Sequence, residues 1–177
     1  FKLINMKNAF TLSLIILLNL SCKKESSAPS NSTNQNNTGV HLFSVPFNGQ
    51  TLYVSPFDND TVPEWGGHGI NVTTNANSGD SNTVSIVTTL GTNNGNPYAA
   101  KVCDTLTLNG FNDWYLPSKN ELNALYLNKD SLNMASWYWT STAVGALKAN
   151  IQNFFYSSYG GEASRLQAGG KVRCIRK

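Results

Sequence analysis

Charge is scarce in this chain: Asp, Glu, Lys and Arg make up 13% of 177 residues, about half the ordinary share. Histidine occurs twice, as His41 and His68, and cysteine three times. Two histidines are too few for an evident zinc site. General acid–base catalysis needs titratable groups whose surroundings push their pKa values apart, and no short-range arrangement announces such a pair. No catalytic residues, metal site or cofactor are therefore expected. An excess of one charge is also missing from the folded part. From Val40 onward nine Lys and Arg stand against nine Asp and Glu, and the formal +3 comes from Lys2, Lys7, Lys23 and Lys24 against Glu25. A neutral domain argues against nucleic acid or any strong polyanion as its partner. Polarity comes instead from Ser, Thr and 24 Asn, which suits an uncharged hydrogen-bonding surface.

The first 39 residues read as an address. From Met6, Lys7 precedes an apolar run from Ala9 to Leu20 that ends in Leu20-Ser21-Cys22. The run is too short to span a bilayer and has the form of a signal peptide, residues 1–21, with residues 1–5 upstream of its start. A small residue before cysteine is what a lipoprotein signal peptidase requires, so Cys22 is expected to carry the lipid anchor. Residues 22–39 would form a disordered tether, because Ser, Asn, Thr, Gln, Pro and Gly cannot bury enough apolar area to order it. Acyl chains would then hold the protein on a membrane, with the bacterial cell envelope, at the outer membrane or cell surface, as its expected location. A secretory signal with an incidental cysteine is the competing reading.

The remaining 138 residues, 40–177, suit one domain. With Cys22 lipidated, Cys103 and Cys174 remain as an even pair in an oxidising compartment and are expected to form a disulfide. A helix begun by Asn96 and Pro97 would place Ala99, Val102, Cys103 and Leu106 on one face. Cys174 falls on a β-rich terminal stretch. Cys103 acting as a nucleophile with His68 is the alternative, but nothing near either residue supplies an oxyanion arrangement.

Gln50–Val54 reads as a strand, and Trp65-Gly66-Gly67-His68-Gly69 as turns with close backbone approach. Thr83–Leu90 is ambiguous: its β-branched residues favour strand and its apolar spacing favours helix. Asn109-Gly110 reverses the chain before the buried run Trp114-Tyr115-Leu116. Ser118 and Glu121 form a capping box for a helix carrying Leu122, Leu125 and Tyr126. Trp137–Thr142 and Ile151–Tyr156 read as strands, joined to a last strand by a glycine-rich loop. The expected fold class is α+β, with two helices packed on a small, mainly antiparallel sheet.

Ala99-Ala-Lys-Val-Cys103, the stretch Leu108-Asn-Gly-Phe-Asn-Asp-Trp-Tyr-Leu-Pro-Ser-Lys-Asn-Glu-Leu122, Tyr138-Trp-Thr-Ser-Thr142 and Lys171-Val-Arg-Cys-Ile-Arg176 resemble the Lcl C-terminal domain family, also known as domain of unknown function 1566. The order and spacing are similar over about 80 residues, and weaker similarity reaches back to Gln50. The resemblance implies a C-type-lectin-like fold in residues 40–177, with the first helix tied to the last strand. It also implies a surface or secreted protein. The family's named member binds sulfated glycosaminoglycans through a basic surface. Here only Arg165, Lys171, Arg173, Arg176 and Lys177 could form such a patch. The Glu-Pro-Asn and Gln-Pro-Asp signatures of calcium lectins do not occur, and Asp58, Asp60 and Glu64 read as a solvated acidic turn.

In lectin-like domains the segment before the last strand presents the variable surface. Asn153, Tyr156, Tyr159 and Arg165 are accordingly the expected ligand-binding residues, with a glycan or surface protein as the partner. The function so implied is adhesion or recognition by a membrane-anchored lipoprotein. The alternatives are an enzyme acting on envelope polysaccharide through a carboxylate such as Asp113 or Glu121, or an architectural module of an envelope complex.

Overall fold

The computed structural model describes residues 42–59, 63–155 and 160–177. The expected signal, Cys22, the tether and His41 lie outside them. Among the described residues the order is β1 (Phe43–Phe47), β2 (Gln50–Val54), α1 (Gly79–Leu90), α2 (Ala99–Asp104), α3 (Lys119–Tyr126), β3 (Trp137–Val144), β4 (Lys148–Asn153), β5 (Gly160–Ser164) and β6 (Ile175–Arg176). The fold is mixed α+β, but with three helices and two three-stranded antiparallel sheets where two helices and one sheet were expected. One sheet runs β1-β2-β6 and the other β3-β4-β5. No helix among the described residues is long and apolar enough to cross a membrane.

The ambiguous segment is helical. Thr83, Ile86 and Leu90 point into the core, and burying that face outweighs the β preference of Thr and Val. Asp80 sits in the first turn, where the helix dipole favours an anion, and Gly91, at φ 53°, ends the helix by donating its N–H to Val87 O. Helix α2 starts later than expected. Tyr98, in extended backbone, is its N-cap, and Asn96 and Pro97 stay outside; Ala99 and Cys103 are buried as the spacing required. The capping box of α3 is formed: Ser118 Oγ accepts from Glu121 N–H and the Glu121 carboxylate accepts from Ser118 N–H.

Two apolar cores lie on either side of extended chain. One gathers Trp65, Ile86, Tyr98, Cys103, Leu116 and Trp139, and the other Leu52, Leu122, Leu125, Tyr138, Phe154 and Ile175. Because successive side chains of extended backbone point to opposite faces, single segments feed both. Trp114 and Leu116 enter the first core and Tyr115 the second; Trp139 enters the first and Tyr138 the second. The pair Trp137 and Trp139 with Tyr138 opposite therefore has buried residues on both faces.

The segment Lys171–Arg176 ties the two sheets together. Lys171 bridges Tyr138, Val172 bridges Asn59 and Ile175 bridges Tyr115, while Ile175 and Arg176 pair with Val54 and Tyr53 of β2. Cys174 lies just before the short strand rather than within a long one. It meets Cys103 at disulfide geometry, with Cα atoms 5.4 Å apart across a sequence separation of 71. Gly170 has no room for a side chain: a Cβ there would sit 2.5 Å from Trp139 Nε1.

Candidate functional site

Arg165, expected at a ligand surface, is instead fully buried. Its guanidinium donates from Nη1 to Gly67 O (3.1 Å) and Ile70 O (2.8 Å), from Nη2 to Gly145 O (2.7 Å) and from Nε to Lys148 O (3.2 Å). It also lies 4.1 Å over the Trp65 ring. Backbone carbonyls thus satisfy its donors, the requirement for burying a guanidinium without a carboxylate, although burial still holds its pKa below the usual arginine value. The residue fastens the glycine-rich 65–70 segment to the second sheet and presents no charge to a ligand. Asn153 is buried as well, with Oδ1 accepting from Phe155 N–H at 2.8 Å. Tyr156 and Tyr159 lie outside the described residues, so the expected quartet is not brought together among those that are described.

The other cations of the supposed basic patch each have a carboxylate partner, with Asp58 serving two of them. Asp58 accepts from Lys171 Nζ at 2.9 Å and from Arg173 Nε at 2.7 Å, and also from the Tyr138 hydroxyl at 3.0 Å. Burial first, and then the Asp58 carboxylate, push the Tyr138 phenol up to about 12. Asp113 takes Arg176 through both carboxylate oxygens, at 2.7 and 2.8 Å. The Arg176 hydrogen bond holds the Asp113 carboxyl below its usual value. Lys177 pairs with Asp80 at 2.9 Å. What looked like a positive stripe is therefore a set of ion pairs that closes the C-terminal segment onto the domain.

The carboxylates that might have served an enzyme are engaged in the same way. Glu121 is fully buried, and its Oε2 accepts from Gly79 N–H at 2.9 Å and Ser118 N–H at 2.8 Å, so that one carboxylate holds the starts of both α1 and α3. The Tyr115 hydroxyl donates to its other oxygen at 3.2 Å. Asp58 is an ion-pair partner rather than part of an open acidic turn, and Asp60 lies outside the described residues. Among the described residues no group of three or more His, Cys, Asp or Glu is placed to hold a metal ion.

A different feature has the shape of a binding site. Between the N-terminal half of α3 and the outer face of the second sheet lies a concavity of about 320 Å3, lined by Lys119, Asn120, Asn123, Thr140, Asn150 and Gln152. Ile151 and Gly160 complete it. Its volume is at the lower end of the range for small-ligand sites, about 300–1,000 Å3. The geometry follows from two periodicities: positions 120 and 123 share a helix face, and positions 150 and 152 share a strand face. Gln152 Nε2 donates to Asn123 Oδ1 at 3.2 Å, joining helix to sheet, and Thr140 Oγ1 donates to Asn150 O at 3.1 Å. Asn120 Nδ2 donates to Asn77 Oδ1 at 2.6 Å, outside the lining.

Each carboxamide offers two donors and two acceptor positions. The amides of Asn123, Asn150 and Gln152 use only part of that capacity in side-chain hydrogen bonds within the described residues. Sequence reasoning passed over all three, since the signal is weak: amides at i and i+2 of a strand opposite amides at i and i+3 of a helix.

No family model matches the chain, and no curated protein matches it. The reading of this site therefore rests on its own chemistry.

Proposed function

We propose that this chain is a lipid-anchored protein of the bacterial cell envelope whose lectin-like domain recognises a glycan or another extracellular macromolecule. The observation that carries the reading is the amide-lined concavity between α3 and the second sheet. It is a recess between a helix and a strand, rich in groups that both donate and accept and poor in charge, which suits a hydroxyl-rich ligand. The signal-like start of the sequence, the Cys22 context and the cysteine pair at disulfide geometry support a protein that works outside the cytoplasm. The C-type-lectin-like character rests on the sequence resemblance; the α+β architecture with two small sheets is compatible with it. Enzymatic action through Asp113 or Glu121 is disfavoured, because both carboxylates are consumed by structural hydrogen bonds.

A glycan array probed with the full chain tests the proposal, together with crosslinking in cells that display it. Binding to a defined glycan or capture of a specific surface protein is the expected result. Silence in both would overturn it, and crosslinking to fixed envelope partners without ligand binding would favour an architectural module instead.

A further inference from the structure

We infer that the concavity between α3 and the second sheet takes an uncharged saccharide, held directly by side-chain amides without a bridging metal ion. This deepens the recognition reading above and rests on it. Three features of the lining point to that ligand class.

The first is the pairing of chemistries. A sugar hydroxyl both donates and accepts, and so does a carboxamide; Asn123, Asn150 and Gln152 converge on the recess from two elements, so several hydroxyls or an acetamido group can be met at once. Neutral amides also lose less on desolvation than ions do. The second is charge. Among the described residues Lys119 is the only cation of the lining, whereas a sulfated or carboxylated polymer is bound through several cations acting together. The remaining candidates for that role are taken, Arg165 by backbone carbonyls and the C-terminal cations by Asp58, Asp113 and Asp80. The third is that no carboxylate lines the recess among the described residues. Calcium takes most of its ligands from carboxylate and carbonyl oxygens, and this set supplies no charge to hold it against a sugar.

Hydrogen bonds within the domain also restrain the lining: Gln152 is joined to Asn123, the capping box fixes the start of α3, and Asn120 bonds Asn77. A preorganised site loses little conformational entropy on binding.

Titration calorimetry with the full chain tests the inference, using uncharged N-acetylglucosamine and mannose oligosaccharides, with heparin as the polyanionic comparator, each with and without EDTA. The expected result is binding of at least one uncharged oligosaccharide that EDTA leaves unchanged. Asn123→Ala and Asn150→Ala should each weaken it about tenfold, the size of one well-made hydrogen bond, while thermal unfolding shows both variants folded. Uncharged oligosaccharide binding that neither variant alters would place the ligand elsewhere and overturn the site, leaving glycan recognition intact. Binding of heparin alone, or binding abolished by EDTA, would overturn the ligand class. If none of these sugars binds while the array finds another glycan or crosslinking captures a surface protein, the inference fails and the broader reading stands; if the array and the crosslinking are silent as well, both fail.

Discussion

The C-terminal segment and the amide-lined recess use polar side chains in opposite ways. From Lys171 to Lys177 every charged side chain has a carboxylate partner within the domain, and the segment is further held by ladder bonds to both sheets. In the recess Asn123 and Asn150 are each held by one hydrogen bond and remain at least partly exposed, with the buried Gln152 between them and the core. In these two regions charge fastens the chain to itself, and amides line the recess. On the proposed reading, the scarcity of charge and the abundance of Asn suit a neutral contact surface beside a tail fastened by ion pairs.

That contrast predicts a graded series of effects, with stability changes in the fastened region and binding changes in the open one. The largest belongs to the cysteines. Replacing Cys103 and Cys174 by Ser removes a link closing a 71-residue separation and should lower stability by about 4 kcal/mol in the chain-entropy model, read by urea unfolding; an equal midpoint for parent and variant would contradict the role given to the pair. Next come Arg165→Leu and Arg173→Met. The first leaves four carbonyls without their donor, and the second leaves the half-buried Asp58 with one cation fewer. Each should cost about 3 kcal/mol, and the same unfolding assay would register it.

Tyr138 supplies a pH test. Its phenol titrates at about 12 in the folded protein against about 10 in an unfolded chain. The folded state therefore favours the neutral phenol. That contribution is complete below pH 10 and is lost as pH rises through 10 toward 12. Ultraviolet difference titration should show late tyrosine ionisation in that window, and Tyr138→Phe should diminish it. Asn123→Ala in the recess should cost about 1 kcal/mol, because it leaves the buried Gln152 amide without its acceptor, and should weaken binding in addition. The smallest effect is expected at Asp113→Asn, since Asp113 is half-exposed: under about 1 kcal/mol, diminishing in high salt.

Much of the fastened region was legible in the sequence, and little of the open one. Ser118 and Glu121 announced a capping box because both ends of that motif lie within one turn. Trp114-Tyr115-Leu116 announced burial by composition, and the even pair of cysteines announced its own partnership. Strand β5 was not legible. Gly160-Gly161-Glu162-Ala163-Ser164 has weak β propensity and becomes a strand only by pairing with β4, a tertiary override of local preference. Strand β1, which contains Pro46, is likewise extended through its register with β2. Arg165 was misplaced for a related reason: its partners at Gly67 and Ile70 lie 98 and 95 residues away, and nothing local distinguishes a buried arginine from an exposed one. The recess combines residues from α3, β3 and β4 that the chain keeps apart, so its amides acquire meaning only after folding.

The most direct test of a neutral contact surface set against a self-fastened tail is an amide-resolved NMR titration of the full chain with an uncharged oligosaccharide identified as a binder. The side-chain amide signals of Asn123, Asn150 and Gln152 should shift, while the backbone signals of residues 171–177 hold still. Shifts concentrated in 171–177 with the three amides unmoved would contradict the account.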